Sequence, residues 1–102
     1  MGTDGTAIVE RFSDGYWEPI AVLPLPRNYE LFNDIHERGT AGYPPDRDDL
    51  SMRILDDNED FGECYMSYKE WLKLLKKYDY KYLNTIKKKY YNDSRVIFRF
   101  DC

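Results

Sequence analysis

Apolar positions recur with the period of an α-helix along residues 68–78, YKEWLKLLKKY. Trp71, Leu75 and Tyr78 fall on one face at 3.6 residues per turn, neighbouring leucines widen that face, and lysines occupy the other side. The preceding residues, 62–66, read as a short strand. The pattern predicts a strand that runs directly into an amphipathic helix.

Polar residues predict where the helices begin and end. Ser67 and Glu70 have the S-x-x-E spacing of a capping box, in which side chains satisfy free amides of the first turn. Asn28 is a candidate N-cap for a helix of about ten residues that Gly39 would end. Asp79 is a candidate cap for a further helix near the C-terminus.

Two alternating runs, 7–12 and 16–23, flank the dipeptide Asp14-Gly15 and predict a β-hairpin. A tight hairpin turn needs positive φ angles, which glycine accepts readily. Pro19 lies inside the second run, and this favours an edge strand or a bulge there because proline has no amide hydrogen for a sheet.

Residues 95–101, RVIFRFD, alternate as a third strand, with Val96, Phe98 and Phe100 on one face. We therefore predict an α+β fold over a single domain, residues 1–102. Its small antiparallel sheet contains the hairpin, the strand near 62–66 and the strand 95–101, and the helices pack on one face.

The chain has 102 residues, of which 42% are hydrophobic and 17% aromatic, enough for one packed core. It contains no apolar run of membrane-spanning length and no signal-peptide pattern at its start, so we expect a cytoplasmic protein that does not enter membranes. Two cysteines, Cys64 and Cys102, are too few for a disulfide scaffold and are expected to be free thiols. The sequence leaves open whether the protein forms a homo-oligomer.

The net charge of −4 conceals two opposite halves. Residues 1–63 carry 5 basic and 15 acidic side chains, whereas residues 64–102 carry 10 basic and 4 acidic ones. The acidic run Asp56, Asp57, Glu59 and Asp60 either is a solvated loop or imitates nucleic-acid phosphates toward a basic partner. The basic run Lys87-Lys88-Lys89-Tyr90-Tyr91 either is a solvated face or binds phosphates and stacks bases.

Motifs of common enzymes are missing from the sequence: it has no Gly-rich phosphate loop, no G-x-S-x-G and no paired C-x-x-C. The one histidine, His36, reads as a solvated helix residue, and a single histidine does not build a typical zinc site. Cys64 reads as a buried strand thiol. We expect no catalytic residues, no metal and no cofactor.

Six segments along the chain resemble, in order and spacing, a family of small uncharacterised proteins of bacteriophages and prophages. Members of that family begin with an MGCDIH-like segment and end with an RIVFWFD-like strand, with an R-[ND]-Y-x-L-F helix and an SWLT-x-x-E-L segment between them. The matching segments are MGTDGTAIVER at 1–11, GYWEP at 15–19, RNYELF at 27–32, GYPPD at 42–46, CYMSYKEWL at 64–72 and SRVIFRFD at 94–101.

The chain differs from that family at the positions where the family has cysteine and histidine. Thr3 and Thr6 occupy the family's opening Cys and His positions, and of a possible cluster of acids and histidines only Asp4 and Asp101 are present. If typical members use those histidines for metal binding or hydrolysis, the resemblance implies that this chain has lost the activity. A degenerate metal-dependent phosphodiesterase is therefore the weakest of three interpretations.

The resemblance implies a non-catalytic phage accessory protein in the host cytoplasm, with counter-defence as its expected role. Arginines near aromatic residues can hold a phosphate and stack a base, so the preferred mechanism is sequestration of a small nucleotide-type ligand. The alternative is an acidic inhibitor that occludes a host defence protein or a nucleic-acid-binding protein through the acidic run. The candidate ligand-binding residues are Arg27, Tyr29, Tyr43, Arg95, Asp101 and Asp4.

Overall fold

The computed structural model describes residues 3–46 and 63–101. Five antiparallel strands form one sheet in the order β2-β1-β5-β4-β3, and the predicted α+β class is confirmed. The strands are β1 (Asp4–Ser13), β2 (Tyr16–Pro24), β3 (Thr40–Ala41), β4 (Cys64–Ser67) and β5 (Ser94–Asp101). The helices are α1 (Tyr29–Arg38) and α2 (Tyr68–Lys77), and two 3-10 turns, Lys81–Leu83 and Lys88–Asp93, lead into β5.

The predicted hairpin is the pair β1–β2, and β2 is an edge strand. Asp14 has a φ of 55° and Gly15 a φ of 89°, the positive values that a two-residue hairpin turn requires. The register of the pair shifts between Val9 and Glu10, because one extra residue of β2 stands next to Pro19. The predicted proline position is thus both at an edge and at a bulge.

Both helices pack on the same face of the sheet, as predicted. The shared core is apolar and takes residues from every layer, among them Val9, Phe98 and Phe100 of the sheet, Phe32 of α1 and Trp71 of α2. Burying such a face gives about 25 cal/mol per Å² of apolar surface, which is why these two amphipathic helices form here. In the part of the chain that the structure describes, no helix is long and apolar enough to cross a membrane.

The predicted signals mark the ends of α1 and the start of α2. The Asn28 side chain accepts a hydrogen bond from Leu31 N (3.1 Å), and Ser67 Oγ accepts one from Glu70 N (3.3 Å). Gly39 follows α1 with an ordinary negative φ. Position 39 needs a glycine for lack of space and not for its dihedral angles, because a Cβ atom there would lie 2.9 Å from the carbonyl oxygen of Ile35.

The prediction of a helix that begins at Asp79 is wrong. Asp79 has a φ of 59° and ends α2, since Tyr80 N donates to the carbonyl of Leu75 (2.8 Å) and Asp79 N to that of Lys76 (3.4 Å). These are the two backbone bonds of a Schellman motif, which needs a left-handed residue after the helix. An aspartate tolerates that conformation, so the residue read as a helix start is a helix stop.

The prediction that His36 is a solvated surface residue is also wrong, because its side chain is half-buried. Its Nδ1 lies 2.8 Å from the carbonyl oxygen of Phe32, and its ring lies 4.7 Å from the ring of Phe100. Cys64 is buried, as predicted, and packs in the core shared by the sheet and the helices.

Candidate binding site

Four of the six candidate ligand-binding residues lie at the end of the sheet where β1 begins and β5 ends. Asp4 and Asp101 are cross-strand partners. Arg27 reaches Asp4 with Nη2 (2.8 Å) and Nε (2.9 Å), and both side chains are more than half exposed. The Tyr29 hydroxyl accepts a hydrogen bond from Thr3 N (3.3 Å). The arginine of this group already has a carboxylate partner, Asp4.

The other two candidates, Arg95 and Tyr43, belong to the packing of the second face of the sheet. Tyr43 is buried against Ile97. All three guanidinium nitrogens of Arg95 are engaged: Nε donates to Glu10 Oε1 (2.9 Å), and Nη1 and Nη2 donate to the two carboxylate oxygens of Asp46 (3.0 and 2.7 Å). An arginine bound in this way holds a loop on a sheet, and few of its N–H groups remain to donate to a phosphate.

The two groups are far apart along the same strand. Arg95 and Asp101 are separated by six positions of β5, which corresponds to about 20 Å at about 3.3 Å per residue. Arg27, Tyr29, Asp4 and Asp101 thus share one end of the sheet, and Arg95 lies toward the other. The six residues do not line one pocket.

The remaining candidates for an acidic contact surface, Asp56, Asp57, Glu59 and Asp60, lie outside the described residues. Asp46, which precedes them, is described. The pKa of Asp46 is lowered from its ordinary value, mainly by the hydrogen bonds that it accepts from Arg95. That carboxylate is consequently charged at neutral pH.

A different part of the molecule brings cations and an aromatic ring together with space beside them. Arg11, near the end of β1, places its guanidinium carbon 4.5 Å from the ring centre of Tyr90, and Lys89 Nζ lies 5.1 Å from the same centre. A groove of about 220 Å³ opens here, lined by Arg11, Ile20, Thr85, Ile86, Lys87 and Tyr90. We call this feature the Tyr90 groove.

Backbone register and a short turn build the Tyr90 groove. Arg11 is paired with Ser94 at the start of β5, and Ser94 Oγ donates to the carbonyl oxygen of Tyr90 (2.7 Å). Tyr90 N donates to the carbonyl oxygen of Lys87 (2.9 Å), which closes the first turn of the 3-10 segment. The strand and the turn therefore fix the aromatic ring beside the arginine.

Neighbouring Tyr91 plays a structural part, in contrast to Tyr90. Its ring stacks on that of Tyr68 with centres 5.5 Å apart, and its hydroxyl accepts a hydrogen bond from Asn84 Nδ2 (2.9 Å). Of the two tyrosines of the basic run, only Tyr90 lines the groove. The chain thus uses one tyrosine for packing and turns the other toward the cations.

The cations of the Tyr90 groove differ from the lysines of α2. Lys73 pairs with Glu70 (3.0 Å) and Lys77 with Asp34 (2.6 Å). Within residues 3–46 and 63–101, no acidic side chain comes within ion-pair distance of Arg11, Lys87 or Lys89. Their positive charge is available to an anionic ligand.

The described residues provide no cluster of three or more histidine, cysteine, aspartate or glutamate side chains that could hold a metal ion. Burial raises the pKa of the Cys64 thiol to about 12, so this cysteine is protonated at neutral pH and is a poor nucleophile.

A comparison with protein-family models, with curated proteins and with solved structures finds no match to this chain.

Proposed function

We propose that the protein is a non-catalytic binding protein that takes a nucleotide-type ligand in the Tyr90 groove. The observation that carries the proposal is the stack of Arg11 on Tyr90 beside Lys87 and Lys89, with no acidic partner for these cations among the described residues. Phosphate oxygens meet the lysines, and a base meets the aromatic and guanidinium surface.

Each half of such a ligand has a physical reason to bind here. Charge-assisted hydrogen bonds to phosphate are about twice as strong as neutral ones, and stacking of a base on an aromatic side chain contributes about 1–3 kcal/mol. Bases also stack on the flat face of an arginine, so Arg11 extends the surface that Tyr90 offers. A volume of about 220 Å³ fits one base better than a larger dinucleotide.

The resemblance to phage proteins supplies the biological part of the proposal. We propose that the protein acts in the host cytoplasm as a counter-defence factor that sequesters a nucleotide signal or metabolite. A binding protein without catalysis acts by mass action, so its abundance must match that of the ligand. The alternative role as an acidic inhibitor depends on Asp56, Asp57, Glu59 and Asp60, which lie outside the described residues.

Thermal shift with matched ligands tests the proposal. The four ribonucleoside diphosphates are added to the purified protein. Adenosine, which lacks the phosphates, and inorganic pyrophosphate, which lacks the nucleoside, serve as controls. At least one diphosphate is expected to raise the melting temperature by several degrees, and neither control is expected to match it, because a ligand that binds only the native state stabilises it. No shift with any of the four, or an equal shift with pyrophosphate, would overturn the proposal.

The variant Arg27→Gln decides between the two ends of the molecule. Arg27 belongs to the exposed cluster with Asp4 and lies outside the Tyr90 groove. The variant is expected to keep the full nucleotide shift. A lost shift would return the site to the cluster that contains Asp4, Tyr29 and Asp101.

A further inference from the structure

The tip of the β1–β2 hairpin forms a second groove, on the opposite face of the sheet from the helices. It has a volume of about 290 Å³ and is lined by Phe12, Gly15, Tyr16, Trp17 and Asp46. Three aromatic side chains and one carboxylate thus surround the same space. We call it the Trp17 groove.

Two aromatic side chains of the Trp17 groove, Phe12 and Tyr16, are exposed, and Trp17 is half-buried. The rings of Phe12 and Trp17 meet edge to face, with centres 5.3 Å apart and planes 63° apart. Tyr16 is 63% exposed and Phe12 45% exposed, although both are large apolar side chains. Edge-to-face rings present an aromatic face and an aromatic edge to the same cavity, and the negative face of a ring attracts cations.

The cation-binding character of this surface is already visible within the chain. The guanidinium carbon of Arg95 lies 4.0 Å from the ring centre of Trp17. Asp46, which accepts hydrogen bonds from the same guanidinium, is about half exposed and also lines the groove. Each carboxylate oxygen has two lone pairs, so Asp46 can meet a further cation from the open side.

We propose that the Trp17 groove binds an organic cation with an alkylammonium group, such as a methylated ammonium. The negative faces of aromatic rings attract a cationic methylammonium, and a nearby carboxylate adds charge complementarity. A neutral ligand of the same shape loses both contributions. The ligand class is opposite in charge to that of the Tyr90 groove, and the two grooves share no lining residue.

The test compares choline with its neutral isostere 3,3-dimethylbutan-1-ol. The indole N–H signals of the two tryptophans are followed by NMR in the intact protein, where Trp71 is buried in the core and serves as the internal reference. Choline is expected to shift the Trp17 signal in a saturable manner and to leave Trp71 unchanged, and the isostere is expected to have at most a tenth of its affinity. Equal binding of the isostere, or the absence of a saturable shift, would overturn the proposal.

Two matched variants separate the groove from the general charge of the hairpin. Asp46→Asn removes the carboxylate in the groove, whereas Asp14→Asn removes one from the turn, where asparagine also accepts the positive φ. Asp46→Asn is expected to weaken choline binding at least fivefold and Asp14→Asn less than twofold. An equal loss of choline affinity in the two variants would show that choline responds only to the overall charge of the hairpin, and it would overturn the proposal.

The variant Tyr16→Leu provides the test that does not touch Arg95. Tyr16 contributes an exposed ring to the groove, so the variant is expected to fold as the native protein does and to lose choline affinity at least threefold. Tyr29→Leu, at the far end of the sheet, is the control for removing an exposed tyrosine. Unchanged affinity in Tyr16→Leu would contradict an aromatic site.

Discussion

Glu10 and Arg95 form a cross-strand ion pair that joins the first and last long strands of the sheet. Arg95 Nη2 lies 2.8 Å from Glu10 Oε1, the Glu10 side chain is fully buried and that of Arg95 is 10% exposed. The same guanidinium holds Asp46 (2.7 Å) and covers Trp17. One arginine therefore connects β1, β5, the loop before residue 47 and the hairpin tip.

Replacing that arginine is expected to destabilise the fold strongly. Arg95→Met removes the cation that donates to the buried Glu10 carboxylate, and breaking a buried ion pair by removing one member costs about 3–5 kcal/mol of unfolding free energy. Urea unfolding of the variant measures the loss, with Arg99→Met on the same strand as the control. An unchanged urea midpoint for Arg95→Met would show that the pair contributes no stability.

The ion pair between Asp34 and Lys77 predicts a dependence of stability on acid pH. Hydrogen bonds from Lys77 and Tyr78 hold the pKa of Asp34 below its ordinary value of 3.8. A group whose pKa is lower in the folded state stabilises the fold above its unfolded pKa, and that contribution is lost as the pH falls through the folded pKa.

Between pH 5 and pH 2, the native protein is therefore expected to lose more stability than the variant Asp34→Asn. Thermal melts at half-unit pH steps provide the comparison. The two curves are expected to approach each other toward pH 2, because protonated Asp34 no longer forms the ion pair with Lys77. Parallel curves for the two proteins would show that Asp34 does not titrate with folding.

The left-handed conformation of Asp79 predicts an order of stabilities at that position. Asp79→Gly removes the strain of a side chain at a φ of 59° and is expected to stabilise the fold by about 0.5–1 kcal/mol, whereas Asp79→Ala is expected to destabilise it by about 1 kcal/mol. Chemical denaturation of the three proteins gives the order. A glycine variant less stable than the alanine variant would contradict the Schellman end of α2.

The buried thiol of Cys64 predicts slow chemical modification. In the background Cys102→Ser, the remaining thiol is expected to react with a disulfide reagent at pH 8 only at the rate of opening of the fold, because its pKa is raised to about 12 by burial. Addition of 6 M urea is expected to restore rapid reaction. Rapid reaction in the absence of urea would show that Cys64 is accessible in the native state.

The local elements could be predicted from the sequence because their signals lie within a few residues. Asn28 and Ser67 cap their helices through an amide three positions later, and the Asp14-Gly15 turn requires only its own dihedral angles. The sequence is ambiguous at Asp79, because an aspartate can begin a helix as an N-cap and also tolerates the left-handed position that ends one. Only the packing of α2 decides between these roles.

The candidate site was harder to predict because its contacts are long-range. Arg95 and Glu10 are 85 residues apart in sequence, so the chain gives no local sign that this arginine is already committed. Arg11 meets Tyr90 only through the register of β1 with β5. The run of lysines and tyrosines at 87–91 is visible in the sequence, whereas its contact with Arg11 is not.

The measurement that tests the Tyr90 groove most directly compares two double variants by calorimetry. Lys87→Gln with Lys89→Gln removes the lysine that lines the groove and the one beside the Tyr90 ring, and Lys69→Gln with Lys73→Gln removes two lysines from α2 at the same net charge. The diphosphate that gives the largest thermal shift is titrated into each protein at low, constant salt, since screening weakens such contacts. The groove variant is expected to bind at least tenfold more weakly, from about 1.5–3 kcal/mol per charged hydrogen bond, and the α2 variant within twofold of the native protein. Equal losses in the two variants, or no loss in either, would contradict a nucleotide site in this groove.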